Sequence, residues 1–147
     1  MRFRSAPLLL LCVAFFSVEI ASANEEFDFE KAEAILVVTE SEVITYKDYP
    51  AFHQLRALIA SAAKNSEQVI SFEIPSLYSA TVIGVGEHET VSIGSNWIAI
   101  GDRVAFLSDE ESSWLADAVR ARTGTGSSPH TLQQTISALL IEFSSSD

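Results

Sequence analysis

Runs of β-branched and alternating apolar residues predict strands in two blocks of the chain. In the first block, residues 34–39 (AILVVT) and 43–46 (VITY) flank the polar triplet 40–42, a spacing that predicts a hairpin with a short loop. In the second block, Gly94-Ser95 and Gly101-Asp102 are turn signals, and we expect these glycines to supply the positive φ of tight hairpins. The second block predicts an antiparallel meander, with strands at residues 68–74, 77–85, 89–93, 96–100 and 103–107.

A first amphipathic helix is predicted between the two blocks, from about Tyr49 to Lys64. Asp48 can cap this helix, and Pro50 lies in its first turn, where the missing N–H is not needed. A spacing of 100° per residue separates an apolar face from a polar one. The apolar face has Phe52, Leu55, Ile59, Ala62 and Ala63, flanked by Leu58, and the polar face has His53, Gln54, Ser61 and Lys64.

Two more helices are predicted after the meander. Ser108 and Glu111 form a capping box at the start of the second helix, whose inward residues begin at Trp114 and which ends before Gly124. Ser128 caps the third helix, residues 129–143, with Pro129 at its first position. The apolar stripe of the third helix comprises Leu132, Ile136, Leu139, Leu140 and Phe143.

These elements predict an α+β fold, with a single antiparallel sheet (hairpin plus meander) and helices packed on one face. Residues 34–143 form one domain in this interpretation. The acidic N-terminal arm, residues 24–33, is expected to be flexible or loosely docked. Residues 123–128 (TGTGSS) have the composition of a flexible linker to the third helix, and residues 144–147 form a frayed tail.

The first 23 residues have the organisation of a secretory signal peptide. Arg2 and Arg4 precede an apolar run at residues 8–18, and small residues close the segment at 21–23 (ASA). The apolar run is too short for a membrane-spanning helix, which needs about 20 residues. A lipoprotein site at Cys12 is the alternative, although the residue before it is a leucine and not a small residue. We therefore expect a secreted or periplasmic protein that begins at Asn24.

Charge narrows the range of partners. The complete chain has a net charge of −11, and loss of Arg2, Arg4 and Glu19 with the signal leaves 7 basic and 19 acidic residues, a net charge of −12. Such a charge repels nucleic acid and anionic membrane surfaces, and it is compatible with a basic protein partner or simply with solubility. Cys12 is the single cysteine, so the exported domain has no disulfide and depends on its core.

The segment 84–89 (GVGEHE) is the strongest candidate for a metal or phosphate site. His88 and its flanking carboxylates point to opposite faces of a strand, and neither His53 nor His130 belongs to a paired ligand motif. Gly84 and Gly86 lack the third glycine or Lys-Ser/Thr pair of a phosphate loop. We therefore predict a polar hairpin turn here, with neither a metal nor a cofactor.

No catalytic residues can be assigned from the sequence. It has no G-x-S-x-G elbow, and His53 and His130 lie on predicted polar helix faces. Aromatic residues are an alternative signal, because Tyr and Trp are enriched at binding surfaces. Core packing is the better interpretation for Trp114. For Trp97 the sequence does not decide between the core and a binding surface. The aromatic candidates for a sugar or peptide site are Tyr46, Tyr49, Tyr78, Trp97 and Trp114.

The function we expect is that of an exported, non-catalytic binding or inhibitor-like module. A small periplasmic hydrolase with a site assembled from distant residues, and a self-associating envelope-associated structural protein, are the alternatives. A cleft with a histidine near an acid would favour the hydrolase, and a solvent-facing apolar patch the binding module. Ile141 lies opposite the stripe of the third helix, so this helix either contacts a second molecule or simply covers its own sheet.

Overall fold

The computed structural model describes residues 27–47, 50–70 and 73–145. The predicted signal peptide, residues 48–49 and the last two residues of the predicted tail lie outside the described residues. Within those ranges, no helix combines the length and the apolar character needed to cross a membrane.

Seven antiparallel strands of the described chain form a single sheet: β1 Ala34–Val38, β2 Val43–Tyr46, β3 Glu67–Gln68, β4 Tyr78–Ile83, β5 His88–Ile93, β6 Trp97–Ile100 and β7 Arg103–Phe106. Their order across the sheet is β2-β1-β4-β5-β6-β7-β3. The hairpin β1–β2 and the meander β4–β7 correspond to the two predicted blocks. The α+β prediction with one antiparallel sheet is confirmed.

Among the described residues of the first predicted meander strand, 68–74, only Gln68 belongs to a strand, and residues 71–72 lie outside the described part of the chain. β3 comprises only Glu67–Gln68, and Ile70 and Ile74, predicted on one side of a longer strand, are exposed. β3 lies at the sheet edge and pairs only with the first two residues of the four-residue strand β7. A strand needs a neighbouring strand that pairs with its backbone N–H groups. β7 begins at Arg103, opposite Gln68, so it has no residues that could pair with a continuation of β3. Pro75 also lacks an N–H.

The sheet is apolar on both of its faces near β1. Ile35 and Val37 point to one face, and Ala34 and Leu36 point to the other, because side chains alternate along a strand. All four residues are fully buried. A strand that is buried on both faces requires a cover on each side of the sheet, and the helices supply both covers.

Two helices, α1 Pro50–Asn65 and α2 Asp109–Arg122, cover the face that carries Ile35 and Val37, which we call the first face. α2 starts at the predicted capping box: the Glu111 N–H donates to Ser108 Oγ (3.1 Å), and the Ser108 N–H donates to Glu111 Oε1 (2.8 Å). The main core lies between these helices and the sheet. It includes Phe52, Leu55 and Ile59 of α1, Leu115 and Val119 of α2, and Ile35, Val37, Ile44, Val82, Val91 and Ile98 of the sheet.

The third helix, α3 Leu132–Ser145, covers the opposite face. The expectation that the helices pack on one face is therefore met by α1 and α2 and not by α3. Ile136, Leu139 and Phe143 of its predicted stripe are buried in a second cluster. Ile141 points away from the sheet and is 68% exposed. The stripe therefore covers this domain's own sheet. The sheet residues of the second cluster are Ala34, Leu36, Val43 and Ile83.

Residues 123–128 make specific hydrogen bonds, although their composition predicted a flexible linker. The carboxylate of Glu42 accepts from the N–H of Gly124 (2.8 and 3.0 Å to its two oxygens) and from the N–H of Gly126 (2.8 Å). Val43 and Ser127 exchange two backbone hydrogen bonds, of 2.8 and 2.9 Å. These contacts attach the segment to the edge strand β2 and fix where α3 begins.

The described part of the acidic arm is docked on the first face. Phe29 is buried in the main core, and Phe27 packs on its ring at a centroid distance of 4.9 Å. A 3₁₀ turn at Phe29–Lys31 brings Glu30 to Lys64 of α1, at 2.8 Å. This hydrogen bond lowers the pKa of the exposed Glu30 carboxyl and raises that of Lys64. Burial of the two aromatic rings is the reason that this part of the arm is held.

Candidate binding groove between α1 and α2

A groove of about 520 Å³ separates the outer surfaces of α1 and α2. Its α1 wall follows the i, i+3, i+4, i+7 pattern of one helical stripe, and its α2 wall is the first part of that helix. The groove is thus built on two rigid elements. Its lining residues are Gln54, Ala57, Leu58 and Ser61 of α1 and Glu110, Glu111 and Trp114 of α2.

The floor of the groove is apolar. Leu58 and Trp114 are both half-buried: each packs against the main core and also lines the groove. Sequence reasoning assigned Trp114 to the core, and the structure places it at the boundary between the core and solvent. Partial exposure of a tryptophan in a concave apolar surface is typical of binding sites, because Trp buries a large area when a partner covers it.

The rim of the groove is acidic and polar. The side chain of Glu110 is exposed and makes no hydrogen bond or ion pair with another described residue, whereas the side chain of Glu111 accepts the capping hydrogen bond. Gln54 and Ser61 complete the rim, and both are exposed. An apolar floor with a polar rim has the anatomy of a protein–protein contact surface.

A second cleft, of about 430 Å³, lies between the β1–β2 turn and the end of α2. Two of its charged groups already have partners in the chain: Glu42 accepts from the glycine N–H groups, and Arg120 contacts Asp117 at 2.6 Å. Tyr78 lines the same cleft. Because these charges are committed, the cleft is a weaker candidate than the groove.

Residues 84–87 of the segment 84–89 form the turn between β4 and β5, and residues 88–89 begin β5. Gly86 has a φ of +79°, and the Gly84 N–H donates to the Glu87 carbonyl at 2.9 Å. His88 starts β5 opposite Ile83 and is exposed. No group of three or more His, Cys, Asp or Glu residues able to hold a metal ion occurs in the described parts of the chain.

The three histidines lie in three different elements of the chain. His53 Nδ1 lies 3.3 Å from the guanidinium of Arg56, and its ring packs against Phe52 with centroids 5.1 Å apart. His130 lies in a 3₁₀ turn, Pro129–Thr131, before α3. In the described residues, no hydrogen bond joins any of the three to a carboxylate.

The predicted aromatic candidates do not gather at one site. Tyr46 is buried in the main core and donates to the Ala118 carbonyl at 3.1 Å. Burial raises the pKa of Tyr46, and the charge of nearby Arg122 partly offsets this rise. Tyr78 lies in the second cleft, and Tyr49 falls outside the described residues.

Trp97, which the sequence left open, is 3% exposed and lies on the sheet face opposite the main core. Its indole lies across Gly94, where any Cβ would overlap the ring. A positive φ was expected at both hairpin glycines. The expectation is wrong for Gly94 and correct for Gly101, whose φ is +62°. Gly94 is therefore needed for close packing of the indole.

The half of the groove on α1 was missed by sequence reasoning, which treated that surface as solvated. Leu58 beside the apolar stripe was the available signal, because it widens the apolar face towards Gln54 and Ser61.

Comparisons of the chain with protein-family models, with curated proteins and with solved structures found no match. The function therefore has to be inferred from the groove itself.

Proposed function

We propose that this protein is an exported, non-catalytic binding module that recognises a partner protein through the groove between α1 and α2. The observation that carries the proposal is the apolar floor formed by Leu58 and Trp114, open to solvent between two rigid helices. A floor of this kind gains free energy when a partner covers it, at about 25 cal/mol per Å² of apolar surface.

The arrangement of polar groups favours binding over hydrolysis. A hydrolase of the serine type needs a base within about 3 Å of its nucleophile and an acid that orients the base. His53, the histidine nearest to the groove in sequence, contacts Arg56, and no carboxylate among the described residues forms a hydrogen bond that would orient its ring. The groove itself offers carboxylates, an amide and a hydroxyl around an apolar floor, which suits recognition.

The proposed place of action is the periplasm or the medium. The pattern of basic, apolar and small residues in positions 1–23 supports export, and amino-terminal sequencing of the exported protein tests it. The expected first residue is Asn24. Recovery of a chain that still begins at Met1 would contradict export with cleavage.

A pair of matched substitutions tests the groove. Ala57 and Ala138 are both exposed alanines within helices, one in the wall of the groove and one on the outer side of α3. Ala57→Arg fills the groove with a long side chain, and Ala138→Arg makes the same chemical change elsewhere. Both variants should fold, because arginine is nearly as good a helix former as alanine.

The measurement is a comparison of proteins retained from the native compartment by the wild type and the two variants. We expect a partner that the wild type and Ala138→Arg retain and that Ala57→Arg loses. Circular dichroism of both variants checks their fold. If Ala57→Arg retains the same set of proteins as the wild type, the groove is not the binding surface.

A further inference from the structure

We infer that the partner presents a positively charged amphipathic segment, with an apolar side chain on Trp114 and a Lys or Arg beside Glu110. This inference rests on the proposed function of the groove and adds the chemistry of its occupant. Apolar floor and acidic rim lie in one groove, so a segment that carries both features is complementary to it.

The distribution of cations in the chain supports a basic occupant. None of the 7 basic residues that follow position 23 lines the groove, and each has a partner elsewhere in the chain. The ion pairs are Lys31 with Asp28, Lys47 with Glu142, Lys64 with Glu30 and Arg120 with Asp117. Arg56, Arg103 and Arg122 donate to the carbonyls of Ala32, Ser66 and Thr45.

The rim keeps its negative charge after local compensation. Asp109, Glu110 and Glu111 stand in the first turn of α2, where the helix dipole supplies roughly half a positive charge. Three carboxylates against this partial charge leave about two and a half negative charges on the first turn of α2, of which Glu110 and Glu111 line the groove. A cation of the partner that reaches Glu110 meets this field over a few ångströms, within the screening length of about 8 Å at physiological salt.

The length of the groove sets the size of the segment. From Gln54 to Ser61 the α1 wall extends for about 10 Å, at 1.5 Å per residue. Two turns of a helix match this distance. A helix of the partner can therefore lie against α1 and α2. Its apolar stripe would contact Leu58 and Trp114, and its basic side chains would point towards the first turn of α2.

Two synthetic helix-forming peptides provide the probe. Both have leucines at i, i+3, i+4 and i+7, and the other positions are lysine in one peptide and glutamate in the other. The chain has two tryptophans, so nuclear magnetic resonance of the purified protein gives two indole N–H signals, which Trp114→Phe assigns. Trp114 lines the groove and Trp97 lies on the other sheet face, so only the Trp114 signal should shift on binding.

We expect the lysine peptide to bind saturably and the glutamate peptide to bind at least about tenfold more weakly. Glu110→Lys should weaken the lysine peptide by roughly three- to tenfold, the range for one or two solvent-exposed charge contacts. Glu87→Lys, at the exposed β4–β5 turn, makes the same change in net charge and should alter the affinity less than twofold. Ala57→Arg should abolish the shift of the Trp114 signal.

Equal binding of the two peptides, no binding of either, or an equal effect of the two charge reversals would overturn the inference. The last result would mean that the peptide senses only the net charge of the protein. These outcomes leave the proposed function standing as long as Ala57→Arg, and not Ala138→Arg, loses the natural partner. If both arginine variants keep that partner, the proposed function fails as well.

Discussion

The carboxylate of Glu42 holds the segment between α2 and α3, and this leads to a sharp prediction for stability. Glu42 is 8% exposed, and its two oxygens accept three hydrogen-bond contacts from the N–H groups of Gly124 and Gly126. Glu42→Gln keeps the size of the side chain but replaces one acceptor oxygen by an NH₂ group. With its carbonyl oxygen in the place of Oε1, the glutamine still accepts from both glycine N–H groups, but its NH₂ group stands in the place of Oε2, where the Gly124 N–H donates at 2.8 Å.

The expected loss follows from the number and type of these contacts. A hydrogen bond to a charged group contributes about 1.5–3 kcal/mol, and a neutral one about 1 kcal/mol. Glu42→Gln converts the hydrogen bonds from both glycines to neutral ones and turns one contact of Gly124 into a donor–donor contact, so we expect unfolding to be easier by about 2 kcal/mol. For a chain of 147 residues, this loss lowers the melting temperature by roughly 4–8 °C.

Urea denaturation followed by circular dichroism measures this loss. Glu40→Gln is the control, because Glu40 stands in the same turn, is exposed and should change the free energy of unfolding by less than about 0.5 kcal/mol. Amide hydrogen exchange at Gly124 and Gly126 should also accelerate in Glu42→Gln. Identical denaturation midpoints for the two glutamine variants would refute the argument that Glu42 holds this segment.

Three further substitutions test the local structure. Ser108→Ala removes the cap of α2 and should reduce the free energy of unfolding by about 1 kcal/mol in urea denaturation; an unchanged midpoint would contradict the capping role. Gly94→Ala forces a Cβ into the indole of Trp97 and should destabilise by about 1–3 kcal/mol, while Ser95→Ala in the same turn should have little effect. Equal melting temperatures of these two variants would speak against close packing at Gly94. The raised pKa of Tyr46 means that the unfolded chain loses this proton first, so its contribution is intact below pH 10.0 and is lost as pH rises through the folded-state pKa. Tyr46→Phe should therefore show a shallower fall of stability than the wild type between pH 9 and 11, and parallel curves would contradict it.

Local signals were sufficient for the elements whose stability is decided locally. The capping box at Ser108 and the glycine at position 124, with its φ of +94°, mark the two ends of α2 in the sequence and in the structure. The short turn between β1 and β2 follows from the polar triplet between two apolar runs. In each case, the residues that satisfy the backbone are within four positions of one another, so the pattern of the chain contains the answer.

Long-range contacts were beyond such signals. The hydrogen bonds from Gly124 and Gly126 to Glu42 join residues more than 80 positions apart, and composition alone describes this segment as a linker. The groove has the same origin. Its floor exists because α1 and α2 both pack on the sheet yet leave Leu58 and Trp114 half-covered, and that depends on helix positions that periodicity does not encode.

The covered edge of the sheet bears on the alternative of a self-associating structural protein. Association through strands requires an exposed edge with free backbone groups. At β2, Val43 already exchanges hydrogen bonds with Ser127, and Arg122 donates to the Thr45 carbonyl at 3.0 Å. At the other edge, β3 has only two residues. Neither described edge offers a strand of useful length, and the net charge of −11 opposes contact between two copies. Side chains, and not strand edges, then have to provide any contact, and between α1 and α2 the side chains of Leu58 and Trp114 form an apolar floor.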